Sequence, residues 1–87
     1  MKRTEVYKAI DSERDFQDGC IKAGDTHIVT PEAFPLGSGL SAIEVKLQQA
    51  RNLWYNSRAP HTEAMAEIRK IAAICVQLGE SNDMPNR

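Results

Sequence analysis

Apolar residues recur every three to four positions in three separate stretches of this chain, and each stretch predicts an amphipathic helix. The second stretch shows this best, with Ile43, Leu47, Ala50 and Trp54 at i, i+4, i+7 and i+11. The predicted fold is therefore all-α, a three-helix antiparallel bundle that forms one domain of 87 residues. The three predicted helices and the frayed tail cover residues 4–18, 41–56, 62–78 and 79–87.

Residues that favour helix ends set these bounds. Thr4 and Thr62 are candidate N-caps, and Ser41 with Glu44 has the spacing of a capping box. Gly19 follows the first helix, since glycine commonly ends helices. Each helix is thus predicted to begin at a hydroxyl side chain.

Residues 19–40 are predicted to be a long loop between the first two helices. They hold four of the five glycines and two of the four prolines. Thr30 and Pro31 could begin one short helical turn, and the segment 37–39 is a predicted hinge before the second helix. A loop this long is unusual in a compact domain unless it binds or packs on something. We therefore expect it to act as a lid.

Two glutamates occupy positions where the helical pattern requires apolar side chains. Glu13 points between Ala9 and Ile10 on the first helix, and Glu67 lies among the isoleucines of the third. A carboxylate in a core costs free energy unless it is paired, protonated or bound to a metal. Each glutamate is therefore predicted to have a specific partner.

Two kinds of partner stay open for these glutamates. In the structural interpretation, Arg14 or Arg69 pairs with them and sets the register of the helices. In the functional interpretation, the carboxylates hold Mg²⁺ and a nucleotide phosphate. Neither glutamate has a second carboxylate three residues away on its own helix, because position i+3 from Glu67 is Lys70. We therefore favour pairing and predict no resident metal.

The third predicted helix has more apolar surface than two neighbouring helices can cover. Its apolar residues span roughly 200° of the helical wheel, whereas an ordinary surface helix has a stripe of about 100°. The surplus predicts contact with another copy of the chain through residues 62–78. A dimer is the first expectation, because closed twofold pairs are the commonest assemblies.

Two rows of polar and aromatic side chains offer candidate ligand contacts on the first and second helices. Such rows are commonly solvated faces held by i,i+4 pairs. Arginine and lysine, however, also bind phosphate, and aromatic rings stack on bases. The predicted ligand-binding residues are Tyr7 and Arg14 of the first helix, Arg51, Trp54 and Tyr55 of the second, and Arg69 and Lys70 of the third.

Composition narrows the classes of function. The chain is 41% apolar and 26% charged with a net charge of −1, which argues against general nucleic-acid binding. No stretch approaches the roughly 20 apolar residues of a membrane span. Cys20 and Cys75 lack the spacing of a metal or redox motif, so we expect two reduced thiols and a cytoplasmic protein.

Residues 4–18 and 40–87, notably segments 47–51 and 68–75, resemble a family of short phage and prophage proteins. These are described as MazG-like, after the all-α nucleoside triphosphate pyrophosphohydrolases. Such enzymes hold Mg²⁺ with ExxE and ExxD motifs, whereas here Leu47 stands three residues after Glu44 and Lys70 three after Glu67. The resemblance therefore implies a nucleotide-binding protein without the complete metal motif.

The predicted function is non-enzymatic binding of a nucleotide, with sequestration of a nucleotide signal of host immunity as the expected role in a phage. Two alternatives stay open. One is a Mg²⁺-dependent pyrophosphohydrolase of the MazG type. The other is a module that binds or inhibits another protein through the wide apolar stripe of the third helix.

Overall fold

The computed structural model describes residues 1–22 and 34–87, without the side chains of residues 21 and 22. These residues form three helices: α1 (Arg3–Lys22), α2 (Leu36–Asn56) and α3 (Pro60–Asn82). The described part of the chain contains no strand, which confirms the all-α prediction. The predicted turn at Thr30 and half of the predicted lid, residues 23–33, lie outside the described residues.

All three helices extend beyond their predicted bounds. Helix α1 continues past Gly19 to Lys22, and α3 continues past Gly79 to Asn82. A glycine inside a helix costs about 1 kcal/mol relative to alanine, so it weakens a helix without necessarily ending it. Both glycines were wrongly expected to be stop signals.

Helix α2 begins five residues before the predicted start at Ser41. Pro35 is its N-cap in an extended conformation, and the amide of Gly39 donates to the Pro35 carbonyl at 3.1 Å. Residues 37–39 therefore form part of the first turns and are not a hinge. Ser41 and Glu44 lie inside the helix, so the predicted capping box is wrong.

Helix α3 begins at Pro60, two residues before the predicted cap at Thr62. The preceding turn is held by Ser57, whose Oγ accepts from the Ala59 amide at 3.0 Å and donates to Glu63 Oε2 at 2.5 Å. Proline suits this first position because the amide it lacks would have no partner within the helix.

Helix α3 is the centre of the fold, because α2 and α1 both pack on it. In the described residues α1 and α2 do not contact each other. The apolar core lies between α2 and α3, where Phe34, Ile74 and Leu78 are buried and Ala42 and Ile43 pack against them. On α1 the buried described side chains are both charged, namely Glu13 and Arg14.

The apolar stripe predicted for α2 is only partly its buried face. Ala50 is buried and Ile43 half-buried, but Leu47 and Trp54 are 48% and 53% exposed. The face towards α3 is instead formed by positions 39, 42, 43, 46, 50 and 53. Lys46 lies on that face, where its amine is 3.8 Å from Glu67 Oε2. Because a charged residue interrupts the apolar pattern there, the sequence predicted the wrong buried face for α2.

We predict that alanine substitutions at Gly37 and Gly39 change stability in opposite directions. A Cβ at Gly39 would lie 2.7 Å from Leu78 Cγ, so Gly39→Ala must displace a core side chain and should cost about 1–3 kcal/mol. Nothing lies within 4 Å of a Cβ at Gly37, so Gly37→Ala should gain up to about 1 kcal/mol. Urea unfolding measures both changes, and equal stabilisation of the two variants would contradict the packing of Leu78.

Candidate functional site

Glu13 joins α1 to α3 through an ion pair. Its side chain is buried, and Oε1 accepts a hydrogen bond from Arg69 Nε at 2.8 Å. Arg69 is part exposed, with 40% of its side chain accessible. The predicted pairing of Glu13 with an arginine is confirmed, and Arg69 is the partner.

Glu67 is also buried, but its partners are lysines. Oε1 accepts from Lys70 Nζ at 2.9 Å, and Lys46 Nζ of α2 lies 3.8 Å from Oε2. Oε2 itself has no hydrogen-bond partner. The prediction of a paired carboxylate is confirmed, whereas the prediction of an arginine partner is wrong, because Lys70 donates the hydrogen bond and Lys46 supplies the second nearby positive charge.

Arg14 makes the second polar link between α1 and α3. Its Nε and Nη2 donate to Glu80 Oε1 at 3.2 and 3.1 Å, and its Nη1 donates to Gln17 Oε1 at 3.1 Å. Asp18 lies 3.2 Å from Nη2. The guanidinium is buried and engaged by three side chains, so it is the least accessible of the predicted ligand contacts.

An open groove of about 420 Å³ runs between α1 and α3 beside these pairs. Its walls are formed by Ser12, Glu13 and Phe16 of α1 and by Arg69 and Lys70 of α3. Phe16 is 67% exposed, so its ring is available to a ligand. We call this feature the α1–α3 groove.

The two walls of the α1–α3 groove differ in chemistry. The α3 wall carries two cations, each held in place by one buried carboxylate. The α1 wall carries a ring and oxygen atoms, and the Ser12 hydroxyl donates its hydrogen to the Ala9 carbonyl at 2.6 Å. Such a groove can take an anion on one side and a flat ring on the other.

Only two of the seven predicted ligand contacts, Arg69 and Lys70, line this groove. Tyr7 lies on α1 outside the lining and is 61% exposed. The remaining aromatic and basic candidates, Arg51, Trp54 and Tyr55, are exposed on α2, which does not touch α1 in the described residues. The ligand roles of all these residues stay predictions.

Phe16 was not among the seven predicted ligand contacts. The signal that could have identified it is its spacing from Ser12 and Glu13. Residues at i, i+3 and i+4 share one face of a helix. Once Glu13 is paired with Arg69 of α3, the same face of α1 must bring Phe16 beside the basic residues of α3.

A second surface, which we call the apolar face, is the exposed apolar stripe of α3. Its large side chains are Met65, Ile68 and Val76, whereas the exposed large apolar side chains of α2 are Leu36, Leu40, Val45, Leu47, Trp54 and Tyr55. Leu36 of α2 and Cys75 of α3 line one shallow cleft. Cys75 is half-buried there, and both cysteines are free, as predicted.

Acidic side chains show no convergence in the described residues. Within residues 1–22 and 34–87 there is no group of three or more histidine, cysteine or acidic side chains that could hold a metal ion. The two low-ranked metal candidates, Glu13 and Glu67, contact cationic side chains instead.

No protein-family model, curated protein or solved structure gives a significant match to this chain. The resemblance to MazG-like phage proteins therefore stays a prediction from residues 4–18 and 40–87. None of the helices in the described part of the chain is long and apolar enough to cross a membrane.

We predict that neutralising Glu13 costs more stability than neutralising Glu80. Glu13→Gln removes a buried charged acceptor from Arg69, a loss of about 1–3 kcal/mol. Glu80→Gln changes a carboxylate that is 49% exposed, so its loss should stay below about 1 kcal/mol. Chemical denaturation compares the two, and a Glu80→Gln loss equal to or larger than that of Glu13→Gln would contradict the assigned roles.

Proposed function

We propose that this protein binds a nucleotide-type ligand in the α1–α3 groove and holds it without cleaving it. The observation that carries the proposal is the placement of an exposed ring, Phe16, opposite the two part-exposed cations Arg69 and Lys70. Stacking of a base on an aromatic side chain contributes about 1–3 kcal/mol. The cations can bind the phosphate, so the groove offers contacts for both the base and the phosphate of a nucleotide.

The groove also has a size suited to such a ligand. Pockets for small molecules commonly measure about 300–1,000 Å³, and the α1–α3 groove has about 420 Å³. Its cations are held by buried carboxylates, so a ligand does not have to order them at its own entropic cost. Preorganised cations favour retention of an anion.

The proposal that the ligand is held without cleavage is supported by the contacts that the buried carboxylates make. Pyrophosphohydrolysis of the MazG type uses carboxylates that are free to bind Mg²⁺. Here Glu13 contacts Arg69, and Glu67 contacts Lys70 and Lys46. The sequence also lacks a carboxylate three residues after Glu44 or Glu67. A phage protein of this kind would act in the host cytoplasm by sequestering a nucleotide signal of immunity.

We predict that Phe16→Ala abolishes ligand retention while Tyr55→Ala does not. Both side chains are largely exposed, at 67% and 77%, so neither substitution should unfold the chain. Only Phe16 lines the groove. The protein is incubated with linear and cyclic nucleotides and Mg²⁺, then denatured, and the released small molecules are identified.

Unchanged nucleotide from the wild type and none from Phe16→Ala supports the proposal. Retention that is lost in Tyr55→Ala and kept in Phe16→Ala would place the ligand on α2 instead. Release of pyrophosphate would support the enzymatic alternative, and neither retention nor turnover would leave a protein-binding module.

A second function is supported by the apolar face: we propose that it binds another copy of this chain. Monomeric proteins rarely expose large contiguous apolar patches. The face presents three large side chains of α3, Met65, Ile68 and Val76, that are each about 40–50% exposed. These side chains support the sequence-based expectation of a homo-oligomer through α3.

We predict that Met65→Glu and Val76→Glu reduce the mass of the protein in solution to that of a single chain. A carboxylate buried in an apolar contact loses its hydration and opposes assembly. Gln49→Glu is the matched control, because it adds the same charge at an exposed polar position of α2. Sedimentation equilibrium measures the mass, and a monomeric wild type would refute the proposed self-association.

A further inference from the structure

The α1 wall of the groove presents hydrogen-bond acceptors. The Ser12 hydroxyl gives its single hydrogen to the Ala9 carbonyl at 2.6 Å, so towards a ligand its oxygen can act only as an acceptor. Glu13 has no hydrogen to give when ionised, and its two oxygens offer about four acceptor sites. One of these oxygens, Oε1, receives Arg69 Nε. A ligand that lies against α1 must therefore bring donors.

The position of Phe16 decides which part of a nucleotide meets these acceptors. Phe16 is three residues after Glu13 and four after Ser12, so all three side chains lie on one face of α1. A base stacked on the Phe16 ring would have its edge beside the carboxylate. A phosphate is repelled by Glu13 and attracted to Lys70, which places the phosphate towards α3 and leaves the base for α1.

The donor pattern of the common bases then discriminates between them. Guanine carries two adjacent donors, its N1–H and its 2-amino group, which match the two oxygens of one carboxylate. Adenine and cytosine each place a ring acceptor beside the amino group, and that acceptor would face the negative charge of Glu13. Uracil has one N–H between two carbonyl acceptors. The α1 wall therefore suits guanine best.

We infer that the nucleotide held in the α1–α3 groove carries a guanine base, and that Glu13 is the residue that selects it. This inference rests on the proposed function. Glu13 thus has two roles, since the same carboxylate holds Arg69 for the phosphate and accepts from the base edge. A buried carboxylate is suited to this selection, because a base that lacks the donors sets an acceptor atom against its charge, where little water can screen the repulsion.

The test compares guanosine, inosine, adenosine and N1-methylguanosine 5′-monophosphates by calorimetric titration of the full chain. Guanosine monophosphate should bind most tightly, and inosine monophosphate, which lacks the amino group, more weakly. The N1-methyl and adenosine forms should bind about tenfold more weakly or worse, the discrimination expected of a bidentate contact. Equal affinity for all four would overturn the guanine inference and leave nucleotide binding intact, whereas no binding of any would overturn the proposed function.

Two variants assign the selectivity to a residue. Glu13→Gln should abolish the preference for guanosine over adenosine monophosphate. Glu67→Gln is the matched control. Glu67 is equally buried and acts on the groove only through Lys70, whose phosphate contact is common to both nucleotides, so the ratio of the two affinities should stay unchanged even if both affinities fall. A preference that survives Glu13→Gln would refute the role of Glu13. If that variant does not fold, the comparison of guanosine with N1-methylguanosine monophosphate on the wild type still tests whether the groove recognises the donor edge of guanine.

Discussion

The ion pair between Glu13 and Arg69 is the contact on which the arrangement of this protein depends. Helix α1 touches α3 and not α2 in the described residues, and its buried described side chains are Glu13 and Arg14. Among the described side chains, the buried contacts of this helix are therefore charge pairs. Breaking such a pair leaves an uncompensated buried charge, which penalises every other placement of α1. The pair fixes where α1 lies, and its position creates the groove.

The same polar contacts that position α1 also prepare the groove for a ligand. Each of the two cations on the α3 wall is held by one buried glutamate, Arg69 by Glu13 and Lys70 by Glu67. Lys46 extends this arrangement to α2, because its amine lies 3.8 Å from Glu67. The architecture of the fold and the proposed binding chemistry thus use the same residues, and a substitution that alters one should be measured for its effect on the other.

Sequence reasoning identified the helices and the unusual glutamates but placed several boundaries wrongly. Gly19 and Gly79 continue their helices, since a helical glycine only costs about 1 kcal/mol. A glycine is needed at position 39 because Leu78, a residue of α3, occupies the space that a side chain there would fill. The buried face of α2 was misjudged because Lys46, an inward charged residue, interrupts the apolar pattern. In each case a partner distant in sequence outweighed the local preference.

Periodicity by itself determined that the chain is helical, that α3 carries more apolar surface than its neighbours cover, and that Glu13 and Glu67 need partners. These follow from short-range spacing and from the cost of burying a charge. Only the tertiary structure decided which partners they have. Residues 56 positions apart, such as Glu13 and Arg69, become neighbours only when α1 packs on α3. That packing also places the candidate site in the groove beside Phe16 and not on the exposed row of α2. A site formed by residues of two helices leaves no spacing pattern within either helix, so the sequence alone does not predict it.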